Sequence, residues 1–328
     1  MSHEQDLVPA DPPGLVLRGA VGALALPPAI DRAGPKARRR FVEFFTAEIR
    51  NPRTRAAYAA AVARFFAWCD DRGLLQLEQL EPLVVAAYVE DLGRQLAPAS
   101  VKQHLAAIRM LFNYLVVGQI LPFNPAASVR GPRHSVRKGK TPVLFEEEAR
   151  ALLFSIDVGQ LIGLRDRALL AVMVYSFARV SAVIGMRVRD YASIGRRAWF
   201  VFAEKGGKHH QVPAHHKAAE ALDAYLLLAG GAPDAPLFRS FRNGQLTDRP
   251  LDRSRTWNMI RRRADDAGIT TGICCHTFRA TGITDYLIHG GSLETAAAIA
   301  GHASTRTTQL YDRRSDTLTL DEIERVRI

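Results

Sequence analysis

Cysteine is scarce in this chain, and its three copies cannot build a disulfide framework. Cys69, Cys274 and Cys275 also lack the Cys-x-x-Cys spacing of a structural zinc site. Long hydrophobic runs are missing too, because the longest, residues 168–178, is shorter than the roughly 20 residues that cross a bilayer. The N-terminus is acidic where a secretory signal carries Lys or Arg. These absences predict a soluble, cytoplasmic protein without a metal site.

Acidic residues are outnumbered by basic ones. Against 33 Asp and Glu stand 44 Lys and Arg, which gives a net charge of +11 and a pI near 9.9. This excess predicts a polyanionic partner, nucleic acid before a membrane surface, although a merely soluble basic protein has the same charge. Hydrophobic residues at 48% and charged residues at 23% are typical of a globular protein. A length of 328 residues predicts two domains, at about 150 residues each.

In the first third of the chain, the residue pattern predicts a flexible arm followed by a helical domain. Residues 1–37 are rich in Pro, Gly and Ala and have no sustained period, which indicates a flexible N-terminal arm. Over residues 38–125 the apolar pattern is helical, and Ser100 is a candidate helix cap. Short connections between four helices predict a compact all-α domain. The predicted helices cover residues 39–49, 52–73, 82–92 and 98–115.

Residues 126–141 are predicted to form a basic linker between two domains. Within residues 130–140 there are five Lys or Arg and no acid. A solvated surface loop has the same composition, but basic residues between two basic domains suit a chain that wraps around a duplex. Arg133, Arg137 and Lys138 are therefore candidate phosphate contacts.

The second domain, residues 142–328, is predicted to be mostly helical with a small antiparallel sheet. The helices are expected at residues 145–155, 164–178, 214–229, 252–267, 277–288 and 293–300. Three short strands are expected at residues 187–189, 198–202 and 211–212. The fold class is thus mainly α.

Arg179 lies at the end of an apolar helix and needs a partner there, because an unpaired buried charge is costly. No acid stands three or four residues further on, where the chain has Ala182 and Val183. Two alternatives for the partner of Arg179 stay open, an acidic side chain in a structural salt bridge and a bound phosphate. The guanidinium suits a phosphate because its fork binds two oxygens.

Four further residues carry possible chemistry, although each alone is a weak signal. His276 and Arg279 share one helix face at i and i+3. His302 stands where a helix should stop, and Tyr311 follows nine residues later. A phenol has a pKa of about 10 and attacks only if a base or a cluster of cations stabilises the phenolate. Lys205 belongs to a Lys-Gly-Gly-Lys turn, which is ordinarily an exposed hairpin.

The order of these residues, with their local contexts, resembles the tyrosine recombinase, or phage integrase, family. In the N-terminal helices, residues 54–58 and 100–105 resemble the core-binding, SAM-like domain of the family. The resemblance covers residues 38–328. Its four boxes are Ala178-Arg179-Val180-Ser181, Lys205 to Pro213, His276-Thr277-Phe278-Arg279-Ala280-Thr281, and Ala300 to Tyr311.

The resemblance implies strand cleavage through a 3′-phosphotyrosyl intermediate, without cofactor or metal. It implies double-stranded DNA as partner, two domains closing around it as a clamp, and a homotetramer in the synaptic complex. The implied catalytic residues are Arg179, Lys205, His276, Arg279, His302 and Tyr311. The helices after Thr54 and Ser100 are candidates for major-groove reading, and the candidate DNA-binding residues are Thr54, Tyr58, Lys102, Arg133, Arg137, Lys138 and Lys208.

Departures from the family pattern leave alternatives open. Ala182 replaces a frequent acid, Ala280 replaces a frequent histidine, and Lys208 is a second candidate for the role of Lys205.

The first hypothesis for the biological role is integration or excision of a mobile element, with chromosome-dimer resolution of the Xer type as alternative. A type IB topoisomerase and a non-catalytic DNA-binding regulator are the rivals. The apolar spacing of residues 318–328 suits packing on a neighbouring protomer or on the chain's own domain.

Overall fold

A computed structural model describes residues 25–133, 139–195, 197–203 and 209–313 of the chain. The chain divides into two compact units, and the division falls between residues 135 and 136. Helices dominate both units, which confirms the prediction of a mainly α protein. Along the described stretches, no helix is long and apolar enough to cross a membrane.

The first unit is built from helices that each begin with proline. They are α1 (Pro28–Arg32), α2 (Pro35–Glu43), α3 (Pro52–Asp70), α4 (Pro82–Gly93) and α5 (Pro98–Val117). Proline suits the first position because its φ is already helical and its missing N–H has no intrahelical partner to lose. A π-helical turn at Phe44–Glu48 extends α2, and a 3-10 turn at Leu77–Gln79 precedes α4.

Helices α3 and α5 begin in different ways. Asn51 caps α3, because its side-chain oxygen accepts hydrogen bonds from the N–H groups of Arg53 (2.9 Å) and Thr54 (3.2 Å). The prediction that Ser100 caps α5 is wrong. The helix already begins at Pro98, so Ser100 lies in its first turn.

Aromatic rings fill the core of the first unit. Phe65 contacts Phe112 and Tyr88 edge to face, with ring centres 5.9 and 5.1 Å apart. This geometry is favourable because the positive edge of one ring meets the negative face of the next. Helix α5 buries apolar residues at three- and four-residue intervals, as the sequence predicts, and these are Val101, Leu105, Ile108, Leu111 and Leu115.

Order begins earlier in the chain than the sequence predicts. Ala29 and Ile30 of α1 are fully buried in the first core. The prediction of a flexible arm over residues 1–37 is therefore wrong for α1 and for the start of α2. Residues 1–24 of that arm lie outside the described residues.

The start of the predicted linker, residues 126–141, packs on the first unit. Ala126 and Val129 are buried there, and Arg109 Nε donates a hydrogen bond to the Ala126 carbonyl at 2.9 Å. Arg133 is described and exposed, whereas residues 134–138 lie outside the described part.

In the second unit, the six predicted helices are present within a few residues of their expected bounds. Two short helices, α8 and α13, add to the prediction. In chain order the helices are α6 (Glu146–Phe154), α7 (Leu161–Tyr175), α8 (Val180–Ile184), α9 (His216–Ala229), α10 (Arg253–Asp266), α11 (Thr277–Ile288), α12 (Leu293–Ala300) and α13 (Thr305–Gln309).

Helix α7 crosses the core of the second unit and leads to the first arginine box. Residues 168–173 are buried on all sides. Asp166 is fully buried and accepts hydrogen bonds from Arg165 Nε at 2.9 Å and Arg263 Nη2 at 2.8 Å. The carboxylate is thus paired, and it fastens α7 to α10.

A three-stranded antiparallel sheet lies in this unit, as predicted. Its strands, in spatial order, are β1 (Tyr191–Ile194), β2 (Arg197–Ala203) and β3 (His209–Pro213). Phe200 stands opposite Val212, and the described ladder ends where Ala203 stands opposite His209. Residues 204–208, which contain the predicted lysine turn, lie outside the described residues.

Two details of the sheet prediction need correction. The strand predicted at residues 187–189 is wrong, because Val188–Asp190 is a 3-10 turn and Arg187 only forms an isolated bridge with Pro236. A second antiparallel pair goes beyond the prediction, and its strands are β4 (Arg239–Arg242) and β5 (Gln245–Pro250).

Candidate active site

Arg179 stands at a sharp turn between α7 and α8. Ser176 ends α7, and its hydroxyl donates to the Val172 carbonyl at 2.6 Å. Phe177 then adopts a positive φ of 54°, which is uncommon for an aromatic residue and redirects the chain. Arg179 follows as the half-buried N-cap residue of α8. The turn therefore presents both the Phe177 carbonyl and the Arg179 side chain.

Among the candidate catalytic residues that the structure describes, Arg279 is the most deeply buried, with 2% of its surface exposed. It lies in the first turn of α11 and donates hydrogen bonds to the Phe177 carbonyl and, at 2.7 Å, to the Ala300 carbonyl. The guanidinium thus joins the Arg179 turn to the end of α12. That helix end is where the box containing His302 begins.

His302 follows a glycine that ends α12. Gly301 has a φ of 62°, the left-handed conformation that commonly terminates a helix, as predicted. His302 Nδ1 is 2.9 Å from the hydroxyl of Thr308, which is fully buried. Burial, together with the positive charges of Arg279 and Arg179, lowers the pKa of His302 to about 4. The ring is therefore neutral at neutral pH, with Nε2 on the edge opposite Thr308.

His276 lies in the same positive field. It is the N-cap residue of α11, and its side chain reaches solvent. Partial desolvation, followed by the positive charges of Arg279, Arg253 and Arg179, lowers its pKa. Both histidines respond to the same two arginines, so the structure brings Arg179, Arg279, His276 and His302 into one electropositive cluster.

Tyr311 is held beside this cluster by the short helix α13. Ser304 caps α13 by accepting a hydrogen bond from the Arg306 N–H at 3.2 Å. The Tyr311 ring lies parallel to the His302 ring, with centres 6.0 Å apart and an 8° angle between the planes. The Tyr311 carbonyl accepts a hydrogen bond from the Thr284 hydroxyl of α11 at 2.9 Å.

Lys205 is the one implied catalytic residue outside the described part of the chain, and Lys208 shares that segment. The strand that follows it is well anchored, because His210 Nε2 lies 2.9 Å from the Ile299 carbonyl of α12. The base of the β2–β3 hairpin is thus fixed to the helix that leads to His302.

The candidate DNA-binding residues of the first unit lie on two helices. Thr54 and Tyr58 are one turn apart on α3, and both are partly exposed. Lys102 is exposed on α5. Arg137 and Lys138 lie outside the described residues, as does Lys208.

Several residues near the site were not predicted from sequence. Arg253 at the start of α10 adds to the field at His276, and its only signal is its place in a basic segment. Thr308 contacts His302 within the terminal box, six residues further on. Thr284 contacts Tyr311 across a separation of 27 residues, for which the sequence has no signal.

A metal-capable group also occurs among the described residues. Ligand atoms of Glu146, Asp285 and His289 lie within 4.8 Å of one another, and all three residues are exposed. Glu146 already pairs with Arg150 on its own helix. None of the three is an implied catalytic residue.

Two family models match the chain. One describes the phage integrase family and matches residues 142–317, which is more than half of the chain. The other describes the phage integrase N-terminal SAM-like domain and matches residues 38–120.

Curated relatives match over about four fifths of this chain. Tyrosine recombinase XerC of Myxococcus xanthus is 30% identical over 270 residues, covering 80% of this chain and 87% of the relative. Tyrosine recombinase XerD of Pseudomonas aeruginosa is 32% identical over 267 residues, covering 79% and 85%.

Solved structures share the fold. The XerH site-specific recombinase bound to a palindromic difH substrate has a TM-score of 0.65 at 17% identity, covering 90% of this chain and 85% of that one. A lambda integrase tetramer bound to a Holliday junction has a TM-score of 0.64 at 17% identity, covering 86% and 79%. The chain therefore belongs to the phage integrase family. It is a tyrosine-type site-specific recombinase.

Proposed function

We propose that Tyr311 is the nucleophile that cleaves DNA. Its oxygen attacks the scissile phosphorus in line, so a P–O bond to the tyrosine forms while the P–O5′ bond breaks. The products are a 3′-phosphotyrosyl link and a free 5′-hydroxyl. The observation that carries this proposal is the placement of the Tyr311 ring beside that of His302, a residue that lies in the field of Arg279 and Arg179.

The cluster supplies charge stabilisation and a proton acceptor. Arg179, Arg279 and His302 hold the non-bridging oxygens as negative charge develops on them. We assign the tautomer in which His302 Nδ1 accepts the hydroxyl proton of Thr308, which leaves Nε2–H as the donor to the phosphate. His276 is also neutral at neutral pH, because its pKa is lowered, and it accepts the proton of Tyr311.

The leaving group and the rejoining step complete the reaction. Lys205 protonates the departing 5′-oxygen as general acid, with Lys208 as the alternative donor. A 5′-hydroxyl of a second strand then attacks the phosphotyrosine, and the tyrosine leaves with its proton restored. The phosphodiester energy is retained in the covalent intermediate, so the reaction needs neither ATP nor a metal.

The proposed partner is double-stranded DNA. Thr54, Tyr58 and Lys102 contact it from α3 and α5, and the net charge of +11 supports phosphate contacts by the basic residues Arg133, Arg137, Lys138 and Lys208. A homotetramer in the synaptic complex is proposed from the family resemblance. The lambda integrase tetramer on a Holliday junction supports such an assembly. Residues 318–328, for which the sequence leaves packing in cis and in trans open, lie outside the described residues.

Two biological roles are proposed in order of preference. Integration or excision of a mobile element comes first, because residues 307–314 resemble the corresponding segment of mobile-element integrases. Chromosome-dimer resolution is the second candidate, supported by relatives named XerC and XerD that match over about four fifths of this chain. Sequencing the DNA that flanks the gene separates the two, because element ends support the first role. For either role, the proposed location of the enzyme is the cytoplasm.

A suicide substrate tests the nucleophile. The DNA site, recovered from the flanking DNA, is nicked beside the scissile phosphate so that the cleaved strand diffuses away and the adduct accumulates. Wild-type protein should give a slow-migrating adduct on a denaturing gel, and Tyr311→Phe should give none while binding the site equally well. Tyr286→Phe is the matched control, since Tyr286 belongs to the same apolar cluster. An adduct with Tyr311→Phe would assign another nucleophile.

The same material separates the rivals. Failure of the wild type to form any adduct would indicate a DNA-binding regulator. Relaxation of a supercoiled plasmid that lacks the site would indicate a type IB topoisomerase instead.

A further inference from the structure

The segment that opens the second unit lies directly against the segment that carries Tyr311. The Gly139 N–H donates a hydrogen bond to the Leu310 carbonyl at 2.8 Å. The Gly139 carbonyl in turn accepts a hydrogen bond from Arg313 Nη2 at 2.7 Å. One residue therefore holds the chain on both sides of Tyr311, immediately before it and two residues after it.

Two other contacts restrain the same segment. The Tyr311 N–H donates to the Thr308 carbonyl at 2.9 Å, and the Tyr311 carbonyl accepts from the Thr284 hydroxyl at 2.9 Å. The carbonyls of Leu310 and Tyr311 are thus both engaged, one by Gly139 and the other by α11. With both carbonyls fixed, the Cα of Tyr311 has little freedom to shift.

Close packing explains why residue 139 is glycine. A Cβ added there would lie 2.6 Å from the Leu310 oxygen and 3.5 Å from the Leu310 Cβ. Gly139 does not have a positive φ, so its backbone conformation would tolerate other residues. The absence of a side chain is therefore required by the approach of the Leu310 backbone.

Arg313 is fixed mainly by this contact. Among the described residues, its Nη1 is buried without a hydrogen-bond partner, while Nη2 reaches the Gly139 carbonyl. The guanidinium therefore depends on Gly139 for its position, and Gly139 depends on Arg313 for the pairing of its carbonyl.

We propose that Gly139 and Arg313 are positioning residues that hold the Leu310–Tyr311 peptide in the place from which the tyrosine attacks. This inference rests on the proposed role of Tyr311 as nucleophile. In-line attack requires the phenol oxygen to stand close to the phosphorus and opposite the leaving oxygen, and small displacements are costly.

Gly139→Ala should slow cleavage without weakening DNA binding. Moving from 2.6 Å to an ordinary contact of 3.4 Å displaces the Leu310 carbonyl by about 0.8 Å. A displacement near 1 Å at a reacting group costs roughly 10²-fold in rate, so we expect a loss of roughly 10- to 100-fold in the single-turnover rate constant. Gly131→Ala is the matched control from the same stretch of chain, because its Cβ would meet only ordinary contacts at 3.4 and 3.5 Å. It should cleave within twofold of wild type.

The measurement is a single-turnover time course on the nicked suicide substrate with saturating protein. Misfolding lowers the amplitude, which counts active molecules, whereas mispositioning lowers the rate constant at normal amplitude. We expect the second pattern for Gly139→Ala, with the Kd for the site within twofold of wild type. A rate constant within twofold of wild type, or a loss of amplitude alone, would overturn the inference.

Arg313 gives an independent test if Gly139→Ala does not fold. Arg313→Met keeps the aliphatic stem and removes the donor to Gly139, so its rate constant should fall several-fold. Arg313→Lys keeps a donor and should recover part of that loss. Equal rates for wild type and Arg313→Met would contradict the inference. Failure of the proposed function looks different, because then wild type itself forms no adduct or Tyr311→Phe still does.

Discussion

Replacing Arg279 by alanine should damage both the reaction and the fold, and the structure allows the two effects to be separated. The side chain is 2% exposed and donates hydrogen bonds to the carbonyls of Phe177 and Ala300. Its loss leaves both acceptors buried without a donor and opens a cavity between the turn before α8 and the end of α12. Hydrogen bonds from a charged donor contribute about 1.5–3 kcal/mol each, so the loss of two is expected to lower the unfolding free energy by roughly 3–6 kcal/mol.

The catalytic effect of the same change follows from charge stabilisation. Removing one preorganised donor from developing negative charge costs roughly 10²–10³ in rate, or about 2.7–4 kcal/mol in the barrier. Arg279→Lys keeps the positive charge but offers no fork that reaches two carbonyls. Its stability should therefore fall nearly as far as that of the alanine variant, while its cleavage rate falls less.

A methylphosphonate at the scissile position tests the charge argument directly. Replacing one non-bridging oxygen by methyl leaves a neutral group, which has less need of a guanidinium. The ratio of wild-type to Arg279→Ala cleavage rates should shrink from at least 10²-fold on ordinary DNA to within about tenfold on the neutral substrate. Arg187→Ala is the control, because the exposed Arg187 side chain contacts the carbonyl and the carboxylate of Asp234, and Arg187 is not an implied catalytic residue. An equal loss on both substrates would refute charge stabilisation by Arg279.

Three further predictions concern the leaving group, the linker and pH. A sulfur in the 5′-bridging position leaves without a proton, so it does not need a general acid. The cleavage rate of Lys205→Ala should therefore be low on ordinary DNA and near that of wild type on sulfur-containing DNA. The same pattern for Lys208→Ala would assign the general acid to Lys208 instead. Alanine substitution of the linker residues Arg133, Arg137 and Lys138 should reduce the slope of log affinity against log salt by up to about 2.7. An unchanged slope would show that these three residues do not contact DNA phosphates. His302 has a folded pKa of about 4, below its ordinary value of 6.5, so the unfolded chain takes up the proton first and stability falls as pH drops from 6.5 to 4. His302→Gln should flatten that decline in thermal melts over this range, and an equal decline would contradict the lowered pKa.

The sequence was sufficient for the long helices and insufficient for the short elements. A long helix such as α5 contains several turns, so its apolar period is visible without any tertiary information. Helices α8 and α13 have five residues each, which is less than two turns, and no period can be read from them. Strands β4 and β5 are short and polar, and only their pairing reveals them.

The flexible-arm prediction failed for a different reason. The prediction rested partly on the proline content of residues 1–37, but Pro28 and Pro35 each stand at the first position of a helix, where proline is favourable. Ala29 and Ile30 are ordered because they are buried against residues that follow them in the chain. Burial of this kind is a property of the folded core and cannot be read from a stretch of ten residues.

The candidate site was predicted from the order and spacing of its boxes, while its internal contacts were not. Arg279 reaches the Phe177 carbonyl across 102 residues, and Gly139 reaches Leu310 across 171. Backbone carbonyls carry no sequence signal, because every residue has one. Positioning contacts that use them, including both hydrogen bonds of Gly139, therefore become visible only in the folded chain.

Burial is the largest cause of the lowered pKa values of His276 and His302, and the positive charges of Arg279 and Arg179 lower them further. The proposed chemistry depends on the field of these arginines. A positive potential disfavours imidazolium and favours an anion for the same Coulombic reason. Because Arg279 is almost completely buried and His302 is partly buried, water screens this potential less than it would at an open surface. A bound phosphodiester would cancel part of the field and, by linkage, raise the pKa of His302. The transition state concentrates more charge on the non-bridging oxygens than the ground state does, so the same field binds it more tightly and lowers the barrier.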